Sequence, residues 1–379
     1  MRRCLAVCLI GALLPHSSFA QPPQPIDGVR FAFPGGAESP ASAVSAALAL
    51  SDRWLGHDPF ANPAIPAARH LEVSPIAFRV SREDLHAENR DFSDEGGYFD
   101  FAGAWGSWPL GRLALTAYVS QPELRLEDNA YSVGRLPQPG LAATVTNHSS
   151  VRELRTGAGA SAALGRVRVG AALEWNRRSE EYRSDQESGS PSSGTSDVTY
   201  DGSAIGAQFG ARGDWPMGAQ KLEVGAAMRY VPSLDLDGTQ TFDLISGSGQ
   251  APVHTTRGSA WEGGVTMRIP TAETFHVIAG VGGRGAQAWE GFDVKNGERF
   301  EWKLGGEFHD ARDPWTLRFG GGEEQQTDVS EARIGVFSLG LGWQFKNTSA
   351  SFGLMHRTLG RTDEPNSYED RIVATVSLP

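Results

Sequence analysis

Arg333-Ile-Gly-Val-Phe-Ser-Leu-Gly-Leu-Gly-Trp-Gln-Phe345 decides the fold. Phe337, Leu339, Leu341, Trp343 and Phe345 alternate with Ser338, Gly340, Gly342 and Gln344. A period of two places the bulky apolar groups on one face of a strand and the small or polar groups on the other. A soluble sandwich buries its large face. Here the pattern recurs almost to the last residue, with aromatics near the strand ends. That is the pattern of a strand with lipid on one side, a polar lumen on the other and aromatic girdles at the interfaces. The expected fold class is all-β, a transmembrane antiparallel β-barrel.

The same alternation marks about fourteen strand-like segments between His70 and Pro379. Their connections alternate in length. Short turns fall at Trp108-Pro109, Leu164-Gly165, Trp215-Pro216-Met217-Gly218, Pro270-Thr271, Asp313-Pro314 and Lys346-Asn347. Longer polar loops are expected over 122–150, 179–199 and 232–257. Short turns on the periplasmic side and long loops outside are the rule for outer-membrane barrels, and an even strand count brings both ends of the barrel to the periplasm. Most of the segments exceed the roughly 9–11 residues needed to cross a bilayer at a tilt.

Face assignment extends to the charges. Leu222, Val224, Ala226, Met228 and Tyr230 are expected to face lipid, with Glu223 and Arg229 inward. Trp261, Val265, Met267 and Ile269 face out, with Glu262 and Arg268 inward; Phe300, Trp302, Leu304 and Phe308 face out, with Glu301, Lys303 and Glu307 inward. An Arg or Lys facing lipid at the midplane costs about 2–4 kcal/mol, so confinement of the charges to one face is informative.

The first residues give the address. Arg2 and Arg3 precede an apolar run from Cys4 to Leu14, and Ser18-Phe19-Ala20 supplies small residues for cleavage after Ala20. This is the layout of a secretory signal peptide over 1–20. The run is too short to span a bilayer as a helix. Both cysteines, Cys4 and Cys8, lie in it, so no disulfide, thiolate metal site or nucleophilic thiol is expected after cleavage. The net charge of −11 argues against nucleic acid as a partner.

Between Gln21 and Arg69 the alternation is absent. Ala41-Ser-Ala-Val-Ser-Ala-Ala-Leu-Ala-Leu50 has small-residue helical character, and the acidic stretch Ser51–Ala61 leads to Asn62-Pro63-Ala64. An Ala-rich helix, an acidic stretch and an Asn-Pro-Ala signature just before the first strand resemble the FadL-type outer-membrane transporters of long-chain fatty acids and hydrophobic compounds. The resemblance implies a fourteen-stranded barrel over 70–379 whose segment 21–69 folds inside it as a plug, or hatch, in which Asn62, Pro63 and Ala64 take part. It implies passive uptake of hydrophobic small molecules across the outer membrane. The partners expected are such a ligand, outer-membrane lipid and lipopolysaccharide, and the barrel assembly machinery. The inward charges Glu223, Arg229, Glu262, Arg268, Glu301, Lys303 and Glu307 are expected to anchor the plug; for a carboxylate cargo, Arg229 or Arg268 could meet the head group. Two features depart from the pattern: the chain ends Val376-Ser377-Leu378-Pro379 without the usual terminal aromatic, and the plug lacks a clean glycine-rich opening. A second expectation is a non-transporting barrel that binds or anchors a partner protein, resembling type IX secretion shuttle proteins.

Catalysis is not expected. His254 and His276 lack a recognisable serine motif, and His57-Asp58 has no further ligand at metal spacing. Glu83-Asp84, Asp94-Glu95 and Glu323-Glu324 read as solvated charge rather than calcium sites. Gly280-Val-Gly-Gly-Arg-Gly285 reads as strand glycine rather than a phosphate loop. No cofactor and no metal are expected.

Overall fold

The computed structural model describes residues 40–379 apart from 88–89, 134–142, 188–193, 245–246, 291–293, 297, 311–312, 327–332, 361–367 and 379. The expected signal peptide and residues 21–39 lie outside the described residues. One short helix, α1 (Ala43–Ala47), precedes an all-antiparallel sheet. Its segments are β1 (His70–Ala87), β2 (Arg90–Asp100), β3 (Gly103–Leu110), β4 (Leu113–Val133), β5 (Ala143–Leu164), β6 (Val167–Glu187), β7 (Gly194–Met217), β8 (Gln220–Val231), β9 (Leu234–Leu244) and β10 (Gly247–Arg257). They continue as β11 (Ala260–Ala272), β12 (Phe275–Arg284), β13 (Gln287–Glu290), β14 (Val294–Asn296), β15 (Arg299–His309), β16 (Trp315–Gln326), β17 (Arg333–Gln344), β18 (Ser349–Gly360) and β19 (Tyr368–Leu378).

Five staves of the barrel are each made of two consecutive segments with a short irregularity between them: β2 with β3, β8 with β9, β10 with β11, β12 with β13, and β14 with β15. The result is a closed barrel of 14 strands with a plug containing a short helix. Closure is made by β1 against β19, from Leu71 opposite Leu378 to Arg82 opposite Tyr368. A closed barrel is the one sheet without an edge, so every stave can satisfy its backbone in lipid.

The wall follows the alternation. Phe337, Leu339, Leu341 and Trp343 are exposed on the outer face of β17, whereas Ile334 and Val336 of the same strand are buried in the lumen. Trp108, Trp215, Trp343 and Phe345 mark the short-turn end, and Tyr230 against Trp261, ring centroids 5.1 Å apart, sits toward the other. Met228, Val265, Met267, Phe300, Trp302 and Leu304 are exposed as expected; Phe308 is half-buried and stacks on Trp315.

The expected loops are shorter than the polar stretches. β6 and β7 run 21 and 24 residues and pair continuously from Val167 opposite Gly213 to Gln186 opposite Gly194. The stretch 232–257 is a hairpin of β9 and β10. Along the outer face of β7, Phe209 and Ile205 give way to Ser203, Asp201, Thr199 and Asp197. The staves leave the bilayer there and continue as strands in water, where the outer face has no reason to be apolar. The turns shift accordingly: Trp108-Pro109 lies within β3, and Gly111, Gly165 and Gly218 carry the positive φ of the short connections.

Candidate functional site

Inside the barrel, residues 41–65 are almost wholly buried. Ser42 caps α1 by accepting from Ser45 N at 3.2 Å. The helix is shorter than the Ala-rich stretch because Ala49 (φ 51) and Leu50 (φ 62) turn left-handed, with Leu50 N donating to Ser45 O at 2.8 Å. That conformation costs roughly 1–2 kcal/mol per non-glycine residue. It is offset by driving Leu50 into Ile334, Val336 and Met355 of the wall. Farther on, Phe60 and Ile65 pack with Trp105, Tyr118 and Ala172, and Trp54 packs with Ala61 and Ala227.

Asn62 is the hub of the plug. Its fully buried Nδ2 donates to Trp54 O at 2.6 Å and reaches Ala211 O at 3.2 Å and Ala226 O at 3.3 Å. Its Oδ1 accepts from Ala64 N at 2.9 Å. Only an amide gives two donors and an acceptor at one position, so Asn62 ties the plug to itself and to β7 and β8. Pro63 fixes the turn that follows, and Ala64 is fully buried.

Toward the long-connection end, a layer of buried ion pairs covers the plug. Arg53 pairs with Glu262 and, at 3.3 Å, with Glu301. Glu262 also lies 3.5 Å from Arg299 and 3.8 Å from Arg229. Arg229 pairs with Glu174 at 3.1 Å and donates to Phe60 O of the plug. Lys303 bridges Glu301 (3.2 Å) and Glu324 (2.7 Å), and Arg357 carries the chain on to Glu369 at 3.3 Å. Below the plug lies a second layer. Arg268 joins Glu223 (3.2 Å) and Glu307 (2.6 Å), Arg318 joins Glu307 (2.8 Å), and His57 of the plug meets Glu223 at 3.2 Å. Of the seven charges read from the sequence, Arg229, Glu262, Glu301 and Lys303 are therefore in the upper layer and Glu223, Arg268 and Glu307 in the lower. Arg53, Glu174, Glu324 and Glu369 belong to the same system. Arg53 sits in a segment without alternation, where nothing in the sequence indicated its direction.

Two plug carboxyls are perturbed. Burial pushes Asp58 up to about 8, with Asp52 and Glu72 adding to the shift, while Phe60 N donates to its Oδ1 at 3.0 Å. Burial also raises Asp52 above the ordinary carboxylate range, and Ser45 Oγ donates to it at 3.4 Å.

The wall is interrupted above the plug. Among the described residues, the ladder between the β2–β3 stave and β4 extends from Leu110 opposite Leu113 to Gly103 opposite Ser120, and Gln121 N donates to Ala102 O at 3.2 Å as its last rung. Beyond it β2 pairs with β1, and 123–133 pair with β5. One proline stands at the fork: Pro122 lies in the shifted register of β4 against β5. A proline has no N–H to give to a ladder, so this position favours separation. Ala102 at the foot of the fork packs with Ala43, Ala46, Ala77 and Val373. Higher in the lumen, Val198, Tyr200 and Leu236 form an apolar cluster joined by Tyr182 and Val253.

The remaining sequence candidates find ordinary settings. His254 lies on β10, not in a loop, and meets exposed Asp237 at 2.8 Å. His276 opens β12 opposite Glu307. Glu324 is bound in the ion layer and Glu323 accepts from Gln325 at 2.9 Å; the side chains of Glu83-Asp84 and Asp94-Glu95 lie outside the described residues. Gly280–Arg284 is regular strand. Among the described residues, no group of three His, Cys, Asp or Glu is placed to hold a metal.

The barrel has the FadL fold. A solved structure of a Pseudomonas aeruginosa FadL homologue superposes with a TM-score of 0.67 at 11% identity, covering 91% of this chain and 99% of that one. The Ralstonia pickettii toluene transporter TbuX gives 0.60 at 15% identity, over 89% and 97% of the two chains. The Pseudomonas putida toluene transporter TodX gives 0.58 at 14%, over 90% and 97%. No family model and no curated protein matches the chain.

Proposed function

We propose that this chain lies in the bacterial outer membrane and admits hydrophobic small molecules, of the hydrocarbon or fatty-acid class, by passive diffusion. The fork between β2 and β4 is the observation that carries this reading. An axial route would take an apolar molecule through two charged layers and the plug between them. Stripping an apolar cargo of lipid or protein contact to pass charged groups is opposed by about 25 cal/mol per Å² of its surface. A sideways route spares the cargo the plug and the lower layer, although it passes the buried pairs of Glu153 with Arg155, Arg178 and Arg257: the fork stands above the plug, its foot is lined by Ala102 and Ala43, and its outside is lipid. In this scheme the cargo collects on the Val198–Tyr200–Leu236 cluster, enters the lumen and leaves through the wall. The plug keeps polar solutes out, and the lower ion layer faces the periplasm. Outer-membrane lipid and lipopolysaccharide surround the wall, and the barrel assembly machinery inserts it. Likeness to solved hydrocarbon transporters supports the cargo class.

Uptake by vesicles carrying the purified protein tests this, with radiolabelled toluene, a long-chain fatty acid and arabinose as probes. Uptake of an apolar probe above empty vesicles, with arabinose excluded, is expected. Uptake of arabinose alone would assign a porin role instead, and uptake of none would remove the transport reading.

A further inference from the structure

The path of the plug carries more than closure. Followed from α1, its contacts pass from stave to stave around the whole wall. Ala43 N donates to Thr375 of β19 at 2.7 Å, and Ser338 of β17 donates to Ala47 O at 2.8 Å. Thr266 of β11 then donates to Ser51 O at 3.0 Å, Ser161 of β5 to Ile65 O at 2.7 Å, and Ser107 of β3 to Ala68 O at 2.6 Å. His70 opens β1, the neighbour of β19 where the path began. The segment makes one complete turn against the stave order.

At six places where this turn comes closest to the wall between hydroxyl contacts, the wall residue is glycine. A methyl built on Gly353 of β18 would collide with Ala43 O, and on Gly340 of β17 with the Ala47 methyl. On Gly320 of β16 it would run into Leu48, on Gly225 of β8 into Trp54 O, on Gly210 of β7 into Asn62, and on Gly170 of β6 into Pro63. These glycines stand on six different staves and meet plug residues in chain order. Strand glycine otherwise weakens a sheet, and its value is close approach of another backbone. The hydroxyl bonds form an independent record of the same track.

We infer that the plug is a single-turn coil seated on a circumferential glycine track, and that these wall glycines, rather than the ion layers alone, determine that the lumen is shut. The coil is matched to the wall at each stave, so it cannot slide along the axis as a rigid cork; opening lifts it from the track stave by stave. This rests on the reading that the segment closes the lumen.

The test uses the full chain in planar bilayers and swelling liposomes. Gly210→Ala, Gly225→Ala and Gly340→Ala should each raise ion conductance and arabinose swelling while heat-modifiable migration shows an intact barrel. Gly97→Ala and Gly285→Ala should leave both unchanged, because their nearest neighbours lie 3.4 Å and 3.7 Å from the added carbon. Ala47→Gly removes the plug-side obstacle to Gly340→Ala and leaves Phe352 O of the wall at 2.7 Å, so the double variant should recover part of the closure. Track variants as tight as the parent would overturn the inference, provided that deletion of 40–61 leaks; if that deletion does not leak, the plug reading itself fails. Should the alanine variants fail to assemble, Ser338→Ala and Thr266→Ala read the same path without adding an atom to a glycine, because they remove the bonds to Ala47 O and Ser51 O. Raised conductance in an assembled barrel supports the coil seated on the wall, and conductance as low as the parent's in the pair combined overturns it.

Discussion

Replacing Arg53 by methionine should loosen the plug more than any other single change in the upper ion layer. Arg53 is the plug's own contribution to that layer and joins it to two staves through Glu262 and Glu301. Both carboxylates are almost completely buried. Removing one member of a buried ion pair costs about 3–5 kcal/mol, mostly because the partner charge is stranded. Here the stranding is partial: Glu262 retains Arg299 at 3.5 Å and Glu301 retains Lys303 at 3.2 Å. The lower figure, about 3 kcal/mol, is therefore the expectation. At about 1.4 kcal/mol per factor of ten, the unseated population rises roughly 100-fold. Single-channel recording reads this as more frequent open events, with heat-modifiable migration unchanged. A double-mutant cycle with Glu262→Gln should show less than additive loosening, since the second change removes the stranded charge. Open events as rare in Arg53→Met as in the parent would refute the assignment of Arg53 as an anchor.

Three further outcomes follow from the same geometry. Asn62→Ala strands the carbonyls of Trp54, Ala211 and Ala226 and should destabilise the seated plug by about 1–3 kcal/mol; Asn62→Asp, which has no donor and adds a charge, should cost more. Protease sensitivity of the plug in detergent ranks the two, and equal sensitivity would count against the hub. Asp58 has a seated pKa of about 8 against 3.8 for an unperturbed aspartate, so the seated plug holds a proton that an unseated one releases; seating is strongest below about pH 4 and weakens as pH rises through about 8. Conductance should climb over that window and Asp58→Asn should flatten the rise; a persisting slope in the variant would assign it to another group. Ala49→Gly relieves a left-handed φ of 51° and should stabilise seating by about 1 kcal/mol, read as fewer open events, whereas more events would show that the turn is not strained.

The barrel was legible because lipid imposes a period-two code that water does not: Phe337 to Phe345 can be interpreted in only one way once the alternation recurs from strand to strand. The charges were legible for the complementary reason, since Glu262 or Lys303 facing lipid would be too costly. The code fails where the staves leave the membrane. Asp197, Thr199 and Asp201 occupy outer-face positions in water, and no apolar face distinguishes β7 there from a loop. The fork was equally silent. Pro122 is visible in the sequence, but that the rungs between β4 and the β2–β3 stave stop beside it is a matter of register. Within the plug, Asn62-Pro63-Ala64 stood out by resemblance, while Arg53 did not, because its direction is set by the left-handed turn at Ala49 and Leu50. The glycine track was present as an excess of glycine inside strands; only the path of the plug shows what those glycines accommodate.

The central claim, sideways passage through the wall, is tested most directly by deleting Pro122. In β4, Ser120 pairs with Arg155 and Glu123 with Glu153, so Gln121 and Pro122 oppose the single residue Leu154. Removing Pro122 takes out the extra residue, keeps the register of Glu123 with Glu153 and lets the rungs with β2 continue past Ala102. The measurement is uptake of radiolabelled toluene and a long-chain fatty acid by vesicles carrying the deletion variant, with heat-modifiable migration and arabinose exclusion as controls. With the fork zipped closed, uptake should fall to the level of empty vesicles while the barrel stays intact and the plug stays shut. Uptake at the parent rate through an intact, zipped wall would contradict the account and return the route to the barrel axis.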